Sequence, residues 1–252
     1  MFQHIIITGA SNGLGMALAN KYAGQDVCLG LVGRNQDRLY SIANECENKG
    51  ADVKTLVLDI RERGTLTRWI EEFDRSHPVD LIIANAGVHI SPKNGEYIES
   101  QDDIDEIFDV NINGVIHLVN PVLQRMAARE RGSVAIISSL SGYRGIPSFP
   151  AYSASKAAIK FYYEAVRALY RRKGVYISIV CPSYVDTDMT ANMKVHPLMI
   201  TGLDKAVDTI YRGIKHRRRL VAFPWYHALG LRLTSLLPEW LIDLILPKFL
   251  GK

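Results

Sequence analysis

Short apolar runs alternate with longer amphipathic stretches along most of the chain. The run Val134-Ala135-Ile136-Ile137 is apolar throughout, which is typical of a strand buried on both faces of a parallel sheet. This alternation predicts an α/β fold, a doubly wound parallel sheet of about seven strands with helices on both faces. The predicted strands are residues 4–8, 27–33, 53–58, 80–84, 133–138, 175–180 and 219–222. The predicted helices are residues 13–24, 35–49, 62–75, 101–129, 152–172 and 204–217.

The composition agrees with this pattern and narrows the function classes. No repeat, low-complexity tract or linker interrupts the alternation, and 48% of the residues are hydrophobic, so we expect residues 1–252 to form one domain. The net charge of +4 is a mild excess that does not indicate a nucleic-acid partner. The three cysteines, Cys28, Cys46 and Cys181, are widely spaced, which predicts neither disulfides nor a metal site. With no signal-peptide pattern, a cytoplasmic location is expected.

A glycine-rich stretch, "TGASNGLG" at residues 8–15, directly follows the first predicted strand and opens the first predicted helix. Glycine accepts positive φ and allows close approach to the backbone. The N-terminus of a helix at the carboxyl end of a strand offers free N–H groups to a phosphate. A tight turn without a ligand would produce the same pattern, so this stretch alone leaves both interpretations open.

Four further motifs occur in a fixed order after the glycine stretch. They are "NAG" at residues 85–87, Asn111, "ISSLSG" at residues 137–142 and "YSASK" at residues 152–156. Together with "TGASNGLG" they resemble the short-chain dehydrogenase/reductase family in its single-domain form, and the resemblance covers residues 4 to about 190. It implies a Rossmann-like fold, a nicotinamide dinucleotide cofactor and hydride transfer between a carbonyl and an alcohol.

Tyr152 and Lys156 carry the predicted chemistry. They are four residues apart and share one face of a helix, where the Lys156 ammonium is expected to lower the pKa of the Tyr152 phenol. The resemblance implies that Tyr152 exchanges a proton with the substrate oxygen and that Ser139, thirteen residues earlier, hydrogen-bonds the same oxygen. It further implies that Lys156 holds the nicotinamide ribose and that Asn111 orders a water in a proton relay.

The end of the second predicted strand bears on the choice of cofactor. An acidic residue there would mark NAD, but this chain has Gly33-Arg34-Asn35, and Arg34, Arg38 and Ser11 can approach a 2′-phosphate. We therefore expect NADP(H) to be preferred over NAD(H), although both arginines could instead be solvated residues of a helix first turn. The resemblance implies that further residues contact the cofactor in addition to Arg34, Arg38 and Ser11. They are the pair Tyr152 and Lys156 together with Gly9, Asn12, Gly13, Leu14, Gly15, Asp59, Asn85, Ala86, Gly87, Pro182, Val185 and Thr187.

One departure from the family pattern falls beside the expected nicotinamide site. The stretch "CPSYVDTDM" has Ser183 where the family's P-G-x-V-x-T has glycine, which puts the local backbone path and the pocket wall in doubt. Substrate contacts are expected from Ser141, Tyr143, Met189 and Met193, from residues 88–98 and from a substrate loop at 188–203 that includes Leu198 and Met199. These methionines suggest an apolar pocket, but a loop packed over the core fits equally well.

The C-terminal tail, residues 223–252, is unusually apolar. It follows a basic cluster at residues 215–219 and carries an apolar stripe at helical spacing. Three interpretations remain open: a lid over the active site, a subunit interface or a peripheral membrane contact. The members of the stripe are Leu236, Leu237, Trp240, Leu241, Leu244 and Ile245, and Ile242, Leu246, Phe249 and Leu250 broaden it.

These observations favour an NADPH-dependent oxidoreductase that interconverts a carbonyl and a secondary alcohol on a small, lipophilic substrate. The alternative is a catalytically idle protein of the same fold that senses NADP(H) or acts in assembly. The intact set of Ser139, Tyr152, Lys156 and Asn111 favours the enzyme. The resemblance also implies a homo-oligomer, a dimer or a tetramer.

Overall fold

The computed structural model describes residues 2–92, 96–191, 193, 195, 197–234 and 236–242. Seven parallel strands form the main sheet, in the order β3-β2-β1-β4-β5-β6-β9. The other two strands, β7 and β8, pair with each other beside it. The strands are β1 (His4–Thr8), β2 (Cys28–Gly33), β3 (Asp52–Val57), β4 (Leu81–Ala84), β5 (Gly132–Ile137), β6 (Val175–Pro182), β7 (Tyr184–Val185), β8 (Ile200–Thr201) and β9 (Leu220–Phe223).

Helices cover both faces of the sheet, as the apolar runs predict. In β1, Ile5, Ile6 and Ile7 are all fully buried because successive side chains point to opposite faces and each face has its own core. Ile6 joins the core under α3, α5 and α6, whereas Ile5 and Ile7 join the core under α1, α2 and α7. The helices are α1 (Gly13–Tyr22), α2 (Gln36–Glu47), α3 (Arg63–Ser76), α4 (Gln101–Phe108), α5 (Val115–Ala128), α6 (Pro150–Tyr170), α7 (Leu203–Lys215) and α8 (Trp225–Thr234).

The long helix predicted over 101–129 is two helices with a π-helical segment, Asp109–Gly114, between them. The prediction of a single helix over residues 101–129 was therefore wrong in detail. Asn111 lies in this segment and is fully buried, with its side chain bonded to the chain after β4. The extra residue of a π turn re-aims side chains, and such turns are frequent at functional sites.

The strand order creates a crevice at the carboxyl edge of the sheet. β1 lies between β2 and β4, so the chain leaves β1 toward one side and later returns on the other. Ligands of open α/β sheets bind at such a switch point, outside the carboxyl ends of the strands. The glycine stretch after β1 and the "NAG" stretch after β4 both lie there.

The C-terminal tail continues past β9 as α8 and has helical residues again at 239–242. Ala228 of α8 is buried in the core, while Trp225, Leu229, Leu233, Leu236 and Trp240 are exposed. Of the predicted apolar stripe, Leu244, Ile245, Leu246, Phe249 and Leu250 lie outside the described residues. Within the described part of the chain, no helix has both the length and the apolar character needed to cross a membrane.

Candidate active site

A cleft of about 890 Å³ runs along the carboxyl edge of the sheet and brings together most of the predicted site. The predicted residues that line it are Gly9, Ser11, Asn12, Gly13, Leu14, Arg34, Arg38, Asp59, Asn85, Ala86, Gly87, Ser139, Ser141, Tyr152, Lys156, Pro182, Val185, Thr187, Met189 and Met193. Three others, Gly15, Asn111 and Tyr143, are not part of this lining. In the predicted substrate loop, Met199 lines the cleft, and the side chain of Leu198 is outside the described part of the structure. In the predicted segment 88–98, residues 93–95 lie outside the described residues.

The glycine stretch has the geometry of a phosphate cradle. Gly9 and Gly13 adopt φ values of 66° and 51°, in the left-handed region that favours glycine. A Cβ at Gly9 would lie 2.8 Å from Nδ2 of Asn85, so a side chain there would disturb the contact between the two loops. Asn12 is the N-cap of α1, and its side chain accepts a hydrogen bond from the Gly13 N–H at 2.8 Å. The N-terminus of α1 therefore opens onto the cleft and fits a dinucleotide pyrophosphate.

Asn85 fixes the two sides of the crevice to each other. Its Nδ2 donates to the Thr8 carbonyl at 3.0 Å, and the Thr8 hydroxyl accepts from the Asn85 and Ala86 N–H groups at 3.2 Å each. The ends of β1 and β4 are thus tied by three hydrogen bonds at the point where a cofactor would lie.

Ser138 and Ser139 are adjacent in the sequence, and only the thirteen-residue spacing to Tyr152 favours Ser139 as the predicted site serine. In the structure the two side chains have different partners. The Ser138 hydroxyl donates to the Lys156 carbonyl at 2.8 Å, so it attaches α6 to the end of β5. The Ser139 hydroxyl accepts from the Ser141 hydroxyl at 2.7 Å and from the Ser141 N–H at 3.2 Å. Ser139 also acts on Tyr152, in the direction that lowers the pKa of the phenol. Of the two serines, Ser139 is therefore the one that faces Tyr152 in the cleft.

Burial dominates the electrostatics of Tyr152 and Lys156. α6 begins at Pro150, which places Tyr152 in the first turn and Lys156 one turn later. Burial raises the pKa of Tyr152 to about 12, against the opposing effect of Ser139. Burial also lowers the pKa of Lys156 to about 8. The Lys156 Nζ lies 5.6 Å from the Tyr152 ring centroid and donates to the Ile137 carbonyl at 3.1 Å.

The expectation that Lys156 lowers the pKa of Tyr152 is therefore wrong for this structure. Tyr152 has its pKa raised by burial and, to a smaller extent, by Tyr184, while the one effect that lowers it comes from Ser139. The physical reason is that the ammonium is directed to the Ile137 carbonyl and not to the phenol oxygen.

Asn111 lies behind the cleft and positions its wall. Its Nδ2 donates to the Val88 carbonyl at 2.9 Å, and its Oδ1 accepts from the Val88 N–H at 2.8 Å. The same Nδ2 donates to Ser155 Oγ at 3.0 Å, and Ser155 Oγ donates to the Tyr152 carbonyl at 2.7 Å. A Cβ at Gly87 would lie 3.0 Å from Asn111 Oδ1 and 3.2 Å from Lys156 Nζ, so these three residues are close neighbours.

Arg34 and Arg38 lie at the other end of the cleft, near Ser11. Arg34 follows β2 directly and forms loose ion pairs with Asp59 at 3.6 Å and Glu106 at 3.8 Å. Arg38 pairs with Asp188 at 3.4 Å. Burial would raise the pKa of Asp59, but hydrogen bonds from Arg61 and the charges of Arg61 and Arg34 hold it below its ordinary value. Both arginines are more than half exposed and face the cleft.

His89, in the segment 88–98 expected to contact the substrate, lines the substrate end of the cleft. The His89 ring lies 4.8 Å from the Tyr152 ring and 4.9 Å from the Phe149 ring, in edge-to-face contacts. Burial lowers the pKa of His89 to about 4, so the imidazole is neutral, and its buried Nε2 has no hydrogen-bond partner among the described residues. The signal in the sequence was its position two residues after the "NAG" stretch.

α8 forms a wall of the cleft, which favours the lid among the three interpretations of the tail. His227, Leu231 and Thr234 line the cavity from this helix. The Ser183 hydroxyl and His227 Nδ1 are 2.8 Å apart, so the serine that replaces the family glycine contacts α8 directly. This pair joins segments 44 residues apart, and no local pattern could have indicated it.

Tyr143, predicted as a substrate contact, is instead part of the support of α8. Arg232 of α8 donates to the Tyr143 hydroxyl at 3.3 Å and lies 5.3 Å from its ring centroid. Lys160 Nζ lies 5.0 Å from the same centroid. The ring therefore lies behind the cleft lining, between α6 and α8.

Comparison with known proteins decides the family. The family model described as short chain dehydrogenase matches residues 3–197. The chain belongs to the short-chain dehydrogenase family. An uncharacterized oxidoreductase of Myxococcus xanthus is 31% identical over 243 residues, covering 96% of this chain and 95% of the relative. Ketoacyl reductase HetN of Nostoc sp. is 30% identical over 218 residues, covering 84% of this chain and 75% of the relative.

The fold comparison agrees. The structure of a short-chain dehydrogenase from Sphingobium yanoikuyae in complex with NADPH superposes with a TM-score of 0.80 at 23% identity, covering 94% of this chain and 97% of the other. The family match ends at residue 197, so α8 of this short-chain dehydrogenase lies beyond it. The wall that α8 contributes therefore lies outside the part of the chain that the family model matches.

Proposed function

We propose that this short-chain dehydrogenase is an NADPH-dependent oxidoreductase that interconverts a carbonyl and a secondary alcohol on a lipophilic substrate. The observation that carries the proposal is that Ser139 and the buried Tyr152 line the same cleft as the glycine cradle, where Ser139 acts to lower the pKa of the phenol. Two hydroxyls that meet in a desolvated site can both hydrogen-bond one substrate oxygen.

In the direction of reduction, Tyr152 donates a proton to the carbonyl oxygen while Ser139 donates a hydrogen bond to it. A pKa near 12 keeps the phenol protonated at neutral pH, which is the state that a proton donor requires. A nicotinamide cofactor, when bound along the cleft, supplies the hydride for the carbonyl carbon. After transfer the interaction with Ser139, which acts to lower the pKa of the phenol, stabilises the Tyr152 phenolate until a proton returns from solvent.

Arg34 and Arg38 support the preference for NADPH. Their pairs with Asp59, Glu106 and Asp188 are 3.4 to 3.8 Å long and both arginines are more than half exposed, so these pairs contribute about 0–1 kcal/mol. A phosphate ester carries nearly two negative charges and matches the guanidinium fork. A 2′-phosphate can therefore replace these carboxylates at small cost, whereas NADH gains nothing from the arginines.

The composition of the substrate end supports a lipophilic substrate. Phe149, Met189, Met193 and Leu231 present apolar surface to the cleft. Methionine adapts to irregular apolar shapes. The name of the Nostoc ketoacyl reductase includes an acyl group, and an acyl chain offers the apolar surface that such walls would contact.

The proposal is tested by measuring NADPH and NADH affinity through cofactor fluorescence, followed by turnover of ketones of increasing chain length. We expect tighter binding of NADPH and higher kcat/KM for long apolar ketones.

Tyr152→Phe should lower kcat by about 10²- to 10⁴-fold, with NADPH affinity unchanged. Tyr40→Phe, at an exposed tyrosine of α2, is the matched control. Binding without turnover of any ketone would instead favour the idle sensor, and equal affinities would refute the cofactor preference.

A further inference from the structure

A second cavity, of about 500 Å³, lies at the amino edge of the sheet between the ends of α6 and α7. Its lining includes Tyr176, near the start of β6. Pro182 at the other end of β6 lines the catalytic cleft, and six residues of extended strand span about 20 Å. The cavity is therefore separate from the site described above.

Two segments distant in sequence bring cations to this cavity. Arg171 and Arg172 follow α6, and Arg217 and Arg219 follow α7. The lining contains one carboxylate, Glu164, which pairs with Lys160 at 3.0 Å. Among the ion pairs of the described residues, none involves these four arginines. Cations near helix C-termini are favoured by the helix dipole, but that effect does not require a concave cluster.

The conformation of Arg217 indicates that its side chain is used. It occupies the position after the C-cap of α7 with φ of 52°, and the N–H groups of Arg217 and Arg218 bond back to Ile214 and Gly213 at 2.9 Å each. Glycine is the residue preferred at such a position, because a Cβ strains the left-handed backbone. This helix end would form more easily with glycine, so the cap itself does not require an arginine.

The guanidinium groups are held in place by one ring. The Arg217 guanidinium carbon lies 3.9 Å from the Tyr176 ring centroid, and that of Arg171 lies 4.4 Å from the same centroid. Both guanidinium groups also act on the Tyr176 hydroxyl and lower its pKa. Each guanidinium carries five N–H donors, so donors of each fork remain for an oxygen anion. Two like charges on one ring repel each other, and a bound anion would reduce that repulsion.

We propose that this arginine cavity binds a phosphate-bearing ligand. Several guanidinium forks facing one cavity favour an anion with more than one charge, and phosphate oxygens match each fork in a bidentate manner. The phosphate could belong to a soluble molecule or to a lipid headgroup, and the recognition chemistry is the same for both. The inference does not depend on the proposed catalytic function.

The first measurement is a calorimetric titration of inorganic pyrophosphate into the full chain at low ionic strength. The test variant is Arg171→Gln/Arg217→Gln, and the control is Arg63→Gln/Arg75→Gln, which removes two exposed charges from α3. Thermal unfolding of all three proteins verifies that each is folded. We expect the dissociation constant to rise at least about tenfold in the test variant and to stay within about twofold in the control.

Cosedimentation with phosphatidylcholine vesicles, with and without phosphatidylglycerol, identifies the source of the phosphate. Binding to the anionic vesicles that is lost in Arg171→Gln/Arg217→Gln assigns the site to a lipid headgroup. Pyrophosphate binding that depends on the two arginines, without vesicle binding, assigns it to a soluble ligand. The proposal is overturned if neither probe binds or if both variants lose binding equally. It is also overturned if the test variant binds both probes as tightly as the wild type does, which is the result expected when pyrophosphate binds at the glycine cradle.

Discussion

The hydroxyl of Ser183 lies 2.8 Å from Nδ1 of His227 and joins the end of β6 to α8. The family pattern that the stretch "CPSYVDTDM" resembles has glycine at this position, and a glycine has no side chain to form this contact. Burial lowers the pKa of His227, so its imidazole is neutral and can share a hydrogen bond with the serine. The wall of the substrate end is thus fixed by a residue that departs from the family pattern.

Ser183→Gly should loosen this wall without disturbing the cofactor end. A neutral hydrogen bond contributes about 0.5–1.5 kcal/mol, so we expect KM for a long apolar ketone to rise by about 2- to 10-fold. NADPH affinity should stay unchanged, because the cradle lies at the other end of the cleft. Steady-state kinetics measure both quantities, with Ser41→Gly on the exposed face of α2 as a control for protein quality. An unchanged KM would mean that α8 is held by its other contacts.

Removing the two arginines at the cofactor end should change selectivity. In Arg34→Gln/Arg38→Gln we expect NADPH affinity to fall by about 10- to 100-fold, because charge-assisted hydrogen bonds contribute about 1.5–3 kcal/mol. NADH affinity should change by less than about twofold, because NADH has no 2′-phosphate for these side chains to contact. Fluorescence titrations with both cofactors provide the measurement, and Arg63→Gln/Arg75→Gln, which also removes two positive charges, controls for net charge. An equal loss for the two cofactors would refute the assigned role of the arginines.

Asn111 should be as important for stability as for chemistry. In Asn111→Ala both the N–H and the carbonyl of Val88 lose their partner in a partly buried site, and each loss costs about 1–3 kcal/mol. We expect the free energy of unfolding in urea to fall by about 2–5 kcal/mol. Asn113→Ala provides a matched control, because Asn113 lies in the same π-helical segment but is exposed and donates to Asp109. If the two variants were equally stable, the contacts of Asn111 with Val88 would not stabilise the fold.

The sequence predicted the sheet well because its signals are local. The buried run Ile5-Ile6-Ile7 requires cover on both faces wherever it lies, and the glycine stretch after it requires a turn into a helix. The seven strands and their doubly wound arrangement follow from such runs, and the observed strands begin and end close to the predicted residues.

The parts that were missed depend on contacts between distant residues. Asn111 holds Val88 across 23 positions, and the π turn that presents it has no local signature. The Tyr143 hydroxyl bonds Arg232 across 89 positions, which draws the ring behind the cleft and away from the substrate. Side-chain partners of this kind depend on how α8 packs, and hydrophobic periodicity does not determine that packing.

His89 should make the protein less stable in acid. Burial lowers the pKa of His89 to about 4 from an ordinary value near 6.5, so between these values the unfolded chain binds a proton that the folded chain excludes. The stabilisation that His89 contributes is therefore fully present above about pH 6.5 and is lost as the pH falls toward 4, by an amount on the order of 2 kcal/mol.

In His89→Phe, which keeps an aromatic ring against Phe149 and Tyr152, we expect a smaller loss of unfolding free energy between pH 7 and pH 5. Urea unfolding at the two pH values measures it, and His216→Phe, at an exposed histidine, should lose as much stability as the wild type. An acid response in His89→Phe equal to that of the wild type would mean that other groups cause it, and that the imidazole beside Tyr152 can be protonated without opening the site.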